Sequence, residues 1–210
     1  MTTSGVRRAL LAVLGVALLA GCDSGTAMSG STSAVPRPAP PTAECPAEGV
    51  RISAASAEAA MGIRVLTIEM ANCGPGPYRV SGYPDVRLFD EEREPIDVAV
   101  LPGSASIASV AAFDAPPTPV TLRPGEKAWS GLLWRNLVTD STVDATTAVR
   151  MEAASIEGMP WQRVPLVVPD EVDGTRTVTI DLGNTGKLGV RAWHKTPADA
   201  PNPPDPHRPA

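Results

Sequence analysis

The sequence predicts an all-β fold, an antiparallel immunoglobulin-like sandwich of about eight or nine short strands. Apolar and polar residues alternate with a period of two in many short stretches, as in strands that bury one face. Turns separate these stretches, and the 210-residue chain contains 23 prolines and 18 glycines. Aromatic residues are only 4% of the chain. This composition favours strands and turns over a helical bundle, and a closed barrel is the alternative architecture.

The alternating segments identify the candidate strands. In chain order they cover residues 50–54, 66–70, 86–88, 96–100, 120–122, 127–136, 149–151, 178–182 and 188–192. In the clearest of them Val178, Ile180 and Leu182 are expected to face the core. The alanine-rich segment from Ala54 to Met61 has helical composition but is too short to be stable alone. We therefore predict a loop or a single helical turn there.

Parity along the strands predicts where the tryptophans point. In segment 127–136, Trp134 shares a face with Leu132, whereas Trp129 lies on the opposite face. Trp193 shares its parity with Arg191 and is expected to point outward, and Trp161 falls in a loop. Exposed tryptophans can stack on sugar rings or anchor a partner protein. Packing beneath loops or against the other sheet is the more common use of such residues.

The N-terminus carries a predicted lipoprotein signal peptide over residues 1–21. Arg7 and Arg8 precede an apolar run, residues 9–20, that is too short to span a bilayer. Leu-Ala-Gly then stands directly before Cys22, which is the expected site of diacylglyceryl lipidation. The alternatives are a soluble secretion signal with a chance cysteine, or an uncleaved anchor. The arginine pair also allows twin-arginine export.

The composition of the remaining chain predicts three further regions. Residues 22–44 are rich in Ser, Thr and Pro and are expected to form a flexible tether. Residues 45–194 hold all the predicted strands and form the β-sandwich domain. Residues 195–210 carry many prolines without apolar periodicity, so we predict a disordered tail.

The chain has three cysteines. An odd number of cysteines in an exported protein normally indicates a free thiol, because disulfides use cysteines in pairs. Lipidation of Cys22 would leave Cys45 and Cys73, which are expected to form a disulfide in an oxidising compartment. A metal or redox pair is the competing interpretation. It is disfavoured because the two cysteines have neither a nearby histidine nor Cys-x-x-Cys spacing.

Charge argues against some partners. The chain has a formal net charge of −5, and removal of residues 1–21 would make it more negative because that segment has two arginines and no acids. Nucleic acids and anionic lipid headgroups require basic patches. We therefore expect no nucleic-acid partner.

The sequence contains no evident catalytic set, and we predict neither enzyme activity nor a cofactor or metal. The two histidines, His194 and His207, lie at or beyond the end of the predicted fold. The acidic run at residues 90–94 is interpreted as a solvated hairpin tip. The run at residues 170–174 is interpreted in the same way, and it lacks the ligand spacing and the distal Glu of a calcium loop. An envelope enzyme that uses carboxylates is the alternative, and it requires a pair such as Asp85 and Asp90 to meet in a cleft.

Several of these segments together resemble a known family, domain of unknown function 4232, found in lipoproteins and secreted proteins of high-GC Gram-positive bacteria. The residues that carry the resemblance are Cys45, the strand from Leu66 to Asn72 ending at Cys73, the turn Ser81-Gly82-Tyr83-Pro84, Val86-Arg87-Leu88, and Leu122-Arg123-Pro124-Gly125 leading to Ala128 and Trp134. The resemblance implies a small β-sandwich with a paired cysteine and brings no established activity.

These observations predict a lipid-anchored protein on the extracytoplasmic face of a bacterial cell membrane. We expect a noncatalytic binding or structural module of the cell envelope. Its expected contacts are the membrane, through the anchor at Cys22, and an envelope protein or cell-wall component.

Overall fold

The computed structural model describes residues 44–104 and 107–195, and these form an all-β domain with one short helix. The strands are β1 (Val50–Ala60), β2 (Ile63–Asn72), β3 (Tyr78–Val80), β4 (Asp85–Phe89), β5 (Ala99–Pro102), β6 (Val120–Leu122), β7 (Lys127–Arg135), β8 (Thr146–Ala148), β9 (Arg150–Ala154), β10 (Gln162–Val164), β11 (Val167–Asp170), β12 (Gly174–Thr177), β13 (Ile180–Gly183) and β14 (Lys187–Val190). Helix α1 spans Ala111–Asp114. The predicted all-β class is confirmed. The predicted signal peptide, the lipidation site Cys22, the tether before Glu44 and the tail after Lys195 lie outside the described residues.

The strands form several mainly antiparallel sheets. The largest has five strands in the order β1-β2-β7-β14-β5, and a three-stranded sheet has the order β10-β9-β4. Three further pairs, β11-β12, β13-β8 and β3-β6, complete the strand pairing. Only β14 and β5 pair in parallel among the described strands. None of the described sheets closes into a barrel.

The described residues contain more strands than the predicted eight or nine. Part of the difference arises because one predicted strand corresponds to two strands in the structure. Residues around Val149, for example, form two strands, β8 and β9, which pair with different partners, β13 and β4. Strands β3, β10, β11 and β12 are short and were absent from the prediction. Their few residues are held by the partner strand, and such pairing leaves only a weak periodic signal in the sequence.

The prediction of a loop or helical turn at Ala54 to Met61 was wrong. Strand β1 continues to Ala60 because the segment pairs with β2, from Ala57 opposite Leu66 to Ala60 opposite Ile63. A bulge between Ala54 and Ser56 interrupts the register. The hairpin turn is Met61-Gly62, and both residues have positive φ, 52° and 77°, as a two-residue turn of type I′ requires. Cross-strand pairing thus overrides the low β-propensity of alanine.

The hydrophobic core lies between the inward faces of the larger sheets. The five-stranded sheet contributes Leu66, Ile68, Met70, Leu132 and Trp134, which are all buried. Strands β4 and β9 contribute Val86, Leu88, Met151 and Ala153 to the same cluster. The predicted inward set Val178, Ile180 and Leu182 is also buried, which confirms the parity of that segment.

A disulfide and a buried amide fix the end of β2. Cys45 and Cys73 form the predicted disulfide across a sequence separation of 28. The neighbouring Asn72 is 2% exposed and its side-chain amide donates hydrogen bonds to the carbonyls of Gly76 and Leu122, at 2.9 and 2.8 Å. Its carboxamide oxygen accepts from the Gly74 N–H. These hydrogen bonds offset the cost of removing the Asn72 amide from water, so the buried side chain can fix this corner.

Within the described ranges, no helix combines the length and the apolar character that a membrane span needs.

Candidate functional site

The outward face of the five-stranded sheet carries the candidate site. Strands β2 and β7 pair with Val65 opposite Leu133, Thr67 opposite Gly131 and Glu69 opposite Trp129. These residues alternate with the buried core residues of the same strands, so they lie on the opposite face. The predicted separation of Trp129 from the buried Trp134 is confirmed.

A bulge after β14 brings two basic side chains to this face. Arg191 lies beside Gly131, and the backbone N–H of Arg191 donates to the Gly131 carbonyl at 2.9 Å. His194 pairs with Trp129 through two backbone hydrogen bonds of 2.9 and 3.0 Å. The chain therefore takes three steps from Arg191 to His194 while β7 takes two, and the extra residue is a β-bulge. Arg191 and His194 consequently share a face in spite of their odd spacing.

The same bulge overturns the predicted orientation of Trp193. Instead of pointing outward with Arg191, Trp193 is 1% exposed and belongs to the core. Its indole N–H donates to the Ser155 carbonyl at 2.6 Å. The strict alternation assumed from the sequence ends at the bulge, which turns both Ala192 and Trp193 inward.

Residues 107–114, which precede β6, cover part of the outward face. Asp114 is bonded to Ser104 at the end of β5, because the Ser104 N–H and hydroxyl both donate to the Asp114 carboxylate. Phe113 from α1 lies over Gly131, where an added Cβ would stand 2.6 Å from the phenyl ring. Glycine at position 131 therefore lets the covering aromatic ring reach the sheet.

A cavity of about 310 Å³ remains open beside this cover, and we call it the Trp129 pocket. The side chains that line it are apolar, aromatic, hydroxyl-bearing or basic, and they include Val65, Thr67, Phe113, Trp129, Arg191 and His194. Among the described residues, no carboxylate lines it. Its volume is at the small end of the range of ligand sites, roughly 300–1,000 Å³.

The Arg191 guanidinium is the main charged group of the pocket. It is half-buried, and among the described residues its side chain makes no hydrogen bond or ion pair. Burial lowers the pKa of Arg191 from its ordinary value. Two nearby acids pair elsewhere, since Glu69 binds Lys127 at 2.9 Å and Glu126 binds Lys195 at 2.6 Å. The pocket is therefore locally cationic within an acidic protein.

His194 contributes a neutral imidazole at neutral pH. Burial, together with the positive charge of Arg191, holds the pKa of His194 below its ordinary value of 6.5. The imidazole and the aromatic rings can contact the flat or apolar part of a ligand, while Arg191 and the Thr67 hydroxyl can donate hydrogen bonds.

We expect His194 to make folding stability fall in acid. The unfolded chain binds a proton at about pH 6.5, whereas folded His194 binds it only at lower pH. The contribution is thus complete above pH 6.5 and is lost as the pH falls through the lowered folded pKa. Urea unfolding of the wild type and of His194→Gln across this range measures the effect. An identical pH dependence of the two proteins would contradict it.

The structure does not bring Asp85 and Asp90 together. They bracket β4, whose length separates them by roughly 16 Å. Asp85 lines a cavity of about 440 Å³ with Glu157, beside the Gly82-Tyr83-Pro84 turn, whereas Asp90 lines another cavity.

The acidic runs organise turns. The Asp90 carboxylate accepts the Glu94 N–H at 2.8 Å, and the Asp170 carboxylate accepts the N–H groups of Asp173 and Val172. These latter two bonds hold the pKa of Asp170 below its ordinary value. Among residues 44–104 and 107–195, no cluster of three or more His, Cys, Asp or Glu side chains is placed to hold a metal ion.

Trp161 lies in a loop as predicted, and it is half-buried. The Arg87 guanidinium stacks over its ring, 3.8 Å from the centroid. This cation–π contact occupies one face of the ring, whereas Trp129 lines an open cavity and is therefore the candidate for a ligand contact.

A family model described as "Domain of unknown function (DUF4232)" matches residues 45–194. The chain belongs to this family. No match was found among curated proteins. The side chains of the Trp129 pocket all lie within the matched DUF4232 region, so the pocket is part of the domain itself.

Sequence reasoning identified only one member of the pocket, Trp129, through strand parity. Arg191 and His194 were missed as a pair because their spacing of three does not fit an alternating strand. The Ser104–Asp114 contact and the placement of Phe113 had no signal in the sequence.

Proposed function

We propose that this DUF4232 protein is a noncatalytic binding module of the bacterial cell envelope, anchored to the extracytoplasmic face of the membrane. Its ligand site is the Trp129 pocket. The observation that carries the proposal is the Arg191 guanidinium, which has no hydrogen-bond or ion-pair partner among the described residues and lines a pocket together with Trp129 and Phe113. A half-buried charge without a partner costs free energy, and a bound ligand that pairs with it offsets this cost.

The anchoring part of the proposal rests on the sequence around Cys22. A signal-type apolar run precedes the Leu-Ala-Gly-Cys22 motif, and a diacylglyceryl group on that sulfur would hold the chain at the membrane. The tether would place the domain at a distance from the bilayer. The disulfide between Cys45 and Cys73 is compatible with an oxidising, extracytoplasmic environment.

In-cell photo-crosslinking of the full chain tests the binding function. A photoreactive residue at Ala112, exposed on α1 beside the pocket, should capture a reproducible envelope protein or wall polymer. The matched control carries it at Val172, exposed on the β11–β12 turn. Cys22→Ser should move the protein from the membrane to the soluble fraction. Absence of capture at Ala112, together with no binding to wall polymers, would contradict the binding function.

One observation favours the alternative of an envelope enzyme with a carboxylate site. Asp85 and Glu157 line the same cavity of about 440 Å³, and paired carboxylates can perform general acid–base chemistry. The alternative predicts that hydrolysis of isolated wall material is lost in both Asp85→Asn and Glu157→Gln. Absence of such hydrolysis in the wild type would remove it.

A further inference from the structure

The charge of the Trp129 pocket restricts the chemistry of its ligand. Arg191 has no acidic partner in the part of the chain that the structure describes, and the lowered pKa of His194 leaves that side chain neutral at pH 7. One unbalanced positive charge is matched by one negative charge. A group with two charges, such as phosphate, would leave excess negative charge among apolar walls.

The geometry of the donors restricts it further. A guanidinium presents paired N–H groups that match the two oxygens of a carboxylate. The Thr67 hydroxyl lies in the same pocket and makes no hydrogen bond within the described residues. The remaining walls are the rings of Trp129 and Phe113 and the side chain of Val65. These contacts suit a flat or apolar group attached to the anion.

We propose that the Trp129 pocket binds a carboxylate attached to a flat or apolar group, with Arg191 pairing the carboxylate and Trp129 contacting the attached group. The small cavity fits a single such unit, for example one terminal residue of a larger envelope molecule. This inference deepens the proposed function and rests on it for the location of the site.

Titration of the full chain in detergent with benzoate tests the ligand class. The indole N–H signal of Trp129 in the NMR spectrum should shift saturably, with a Kd on the order of 1 mM for so small a ligand. Benzamide has the same shape without the charge and should bind about tenfold more weakly or worse. Arg191→Gln should weaken benzoate binding by a similar factor, and Arg163→Gln, an exposed arginine on β10, should not change it.

Three outcomes would overturn the inference. Benzamide binding as tightly as benzoate would show aromatic contact without anion recognition. Inorganic phosphate shifting the same signal more strongly than benzoate would indicate a phosphoryl ligand. The absence of any saturable shift would leave no anion site. Arg191→Lys keeps the charge without the paired donors, and it should bind benzoate with intermediate affinity if folding is preserved.

The crosslinking experiment separates this inference from the proposed function. With the probe at Ala112, Trp129→Ala and Arg191→Gln should both abolish capture of the partner. Loss in Trp129→Ala alone would preserve the binding function and overturn the carboxylate. Loss in neither variant would overturn the pocket as the binding site.

Discussion

Replacing Trp193 with alanine is expected to lower the free energy of unfolding by about 3–5 kcal/mol, the usual cost of removing a fully buried tryptophan. Trp193 is 1% exposed, and the loss includes its hydrogen bond to the Ser155 carbonyl. The backbone N–H of Trp193 also donates to the Gly82 carbonyl, and this bond connects the chain after β14 to the turn before β4. Urea unfolding of the purified chain measures the change.

Two matched substitutions test whether the loss of stability in Trp193→Ala comes from the burial and the hydrogen bond of Trp193. Trp193→Phe keeps much of the buried area and should cost about 1–2 kcal/mol, mainly through the lost indole hydrogen bond. Trp129→Ala removes a half-buried ring from the outward face and should cost less than Trp193→Ala. If both alanine variants were equally destabilised, the bulge between Arg191 and His194 would not divide the two tryptophans as described.

The tryptophans show which side-chain orientations can be predicted from alternation in the sequence and which cannot. Alternation placed Trp134 inside and Trp129 outside because β7 pairs continuously with β2 over Ile63 to Ala71. It failed at Trp193 because a bulge is defined by the partner strand, and the partner's register is not encoded in local spacing. The error at Ala54 to Met61 has the same origin, since β2 holds those alanines in a strand.

The candidate site depends on the same non-local information. Trp129 could be proposed from parity alone, whereas Arg191 and His194 meet only through the bulge. The acidic runs at Asp90 and Asp170, which the sequence analysis interpreted as solvated turns, accept backbone hydrogen bonds within their own turns. The acidic runs were thus a poorer guide to the pocket than Trp129, whose position along β7 places it on the face opposite the core.

Removal of the disulfide is the second large effect that we expect. In the double variant Cys45→Ser, Cys73→Ser, the free energy of unfolding should fall by about 3–4 kcal/mol, because the bond closes a long loop in the unfolded chain. The variant is best made with Cys22→Ser, so that no third thiol can exchange. Addition of a reductant to the parent chain should reproduce the loss and should leave the double variant unchanged.

The hydrogen bonds around Cys73 determine whether removal of the disulfide changes the native structure as well as the free energy of unfolding. The N–H groups of Cys73 and Gly74 both donate to the Gly49 carbonyl at 2.9 Å, and Asn72 is held by Leu122. These bonds keep the end of β2 in place without the disulfide, so we expect the double variant to keep the native fold at low temperature. Benzoate binding in the Trp129 pocket should then be unchanged, since that pocket lies on other strand segments. A fall in stability below about 1 kcal/mol would contradict this expectation and would show that residual structure already constrains the loop in the unfolded chain.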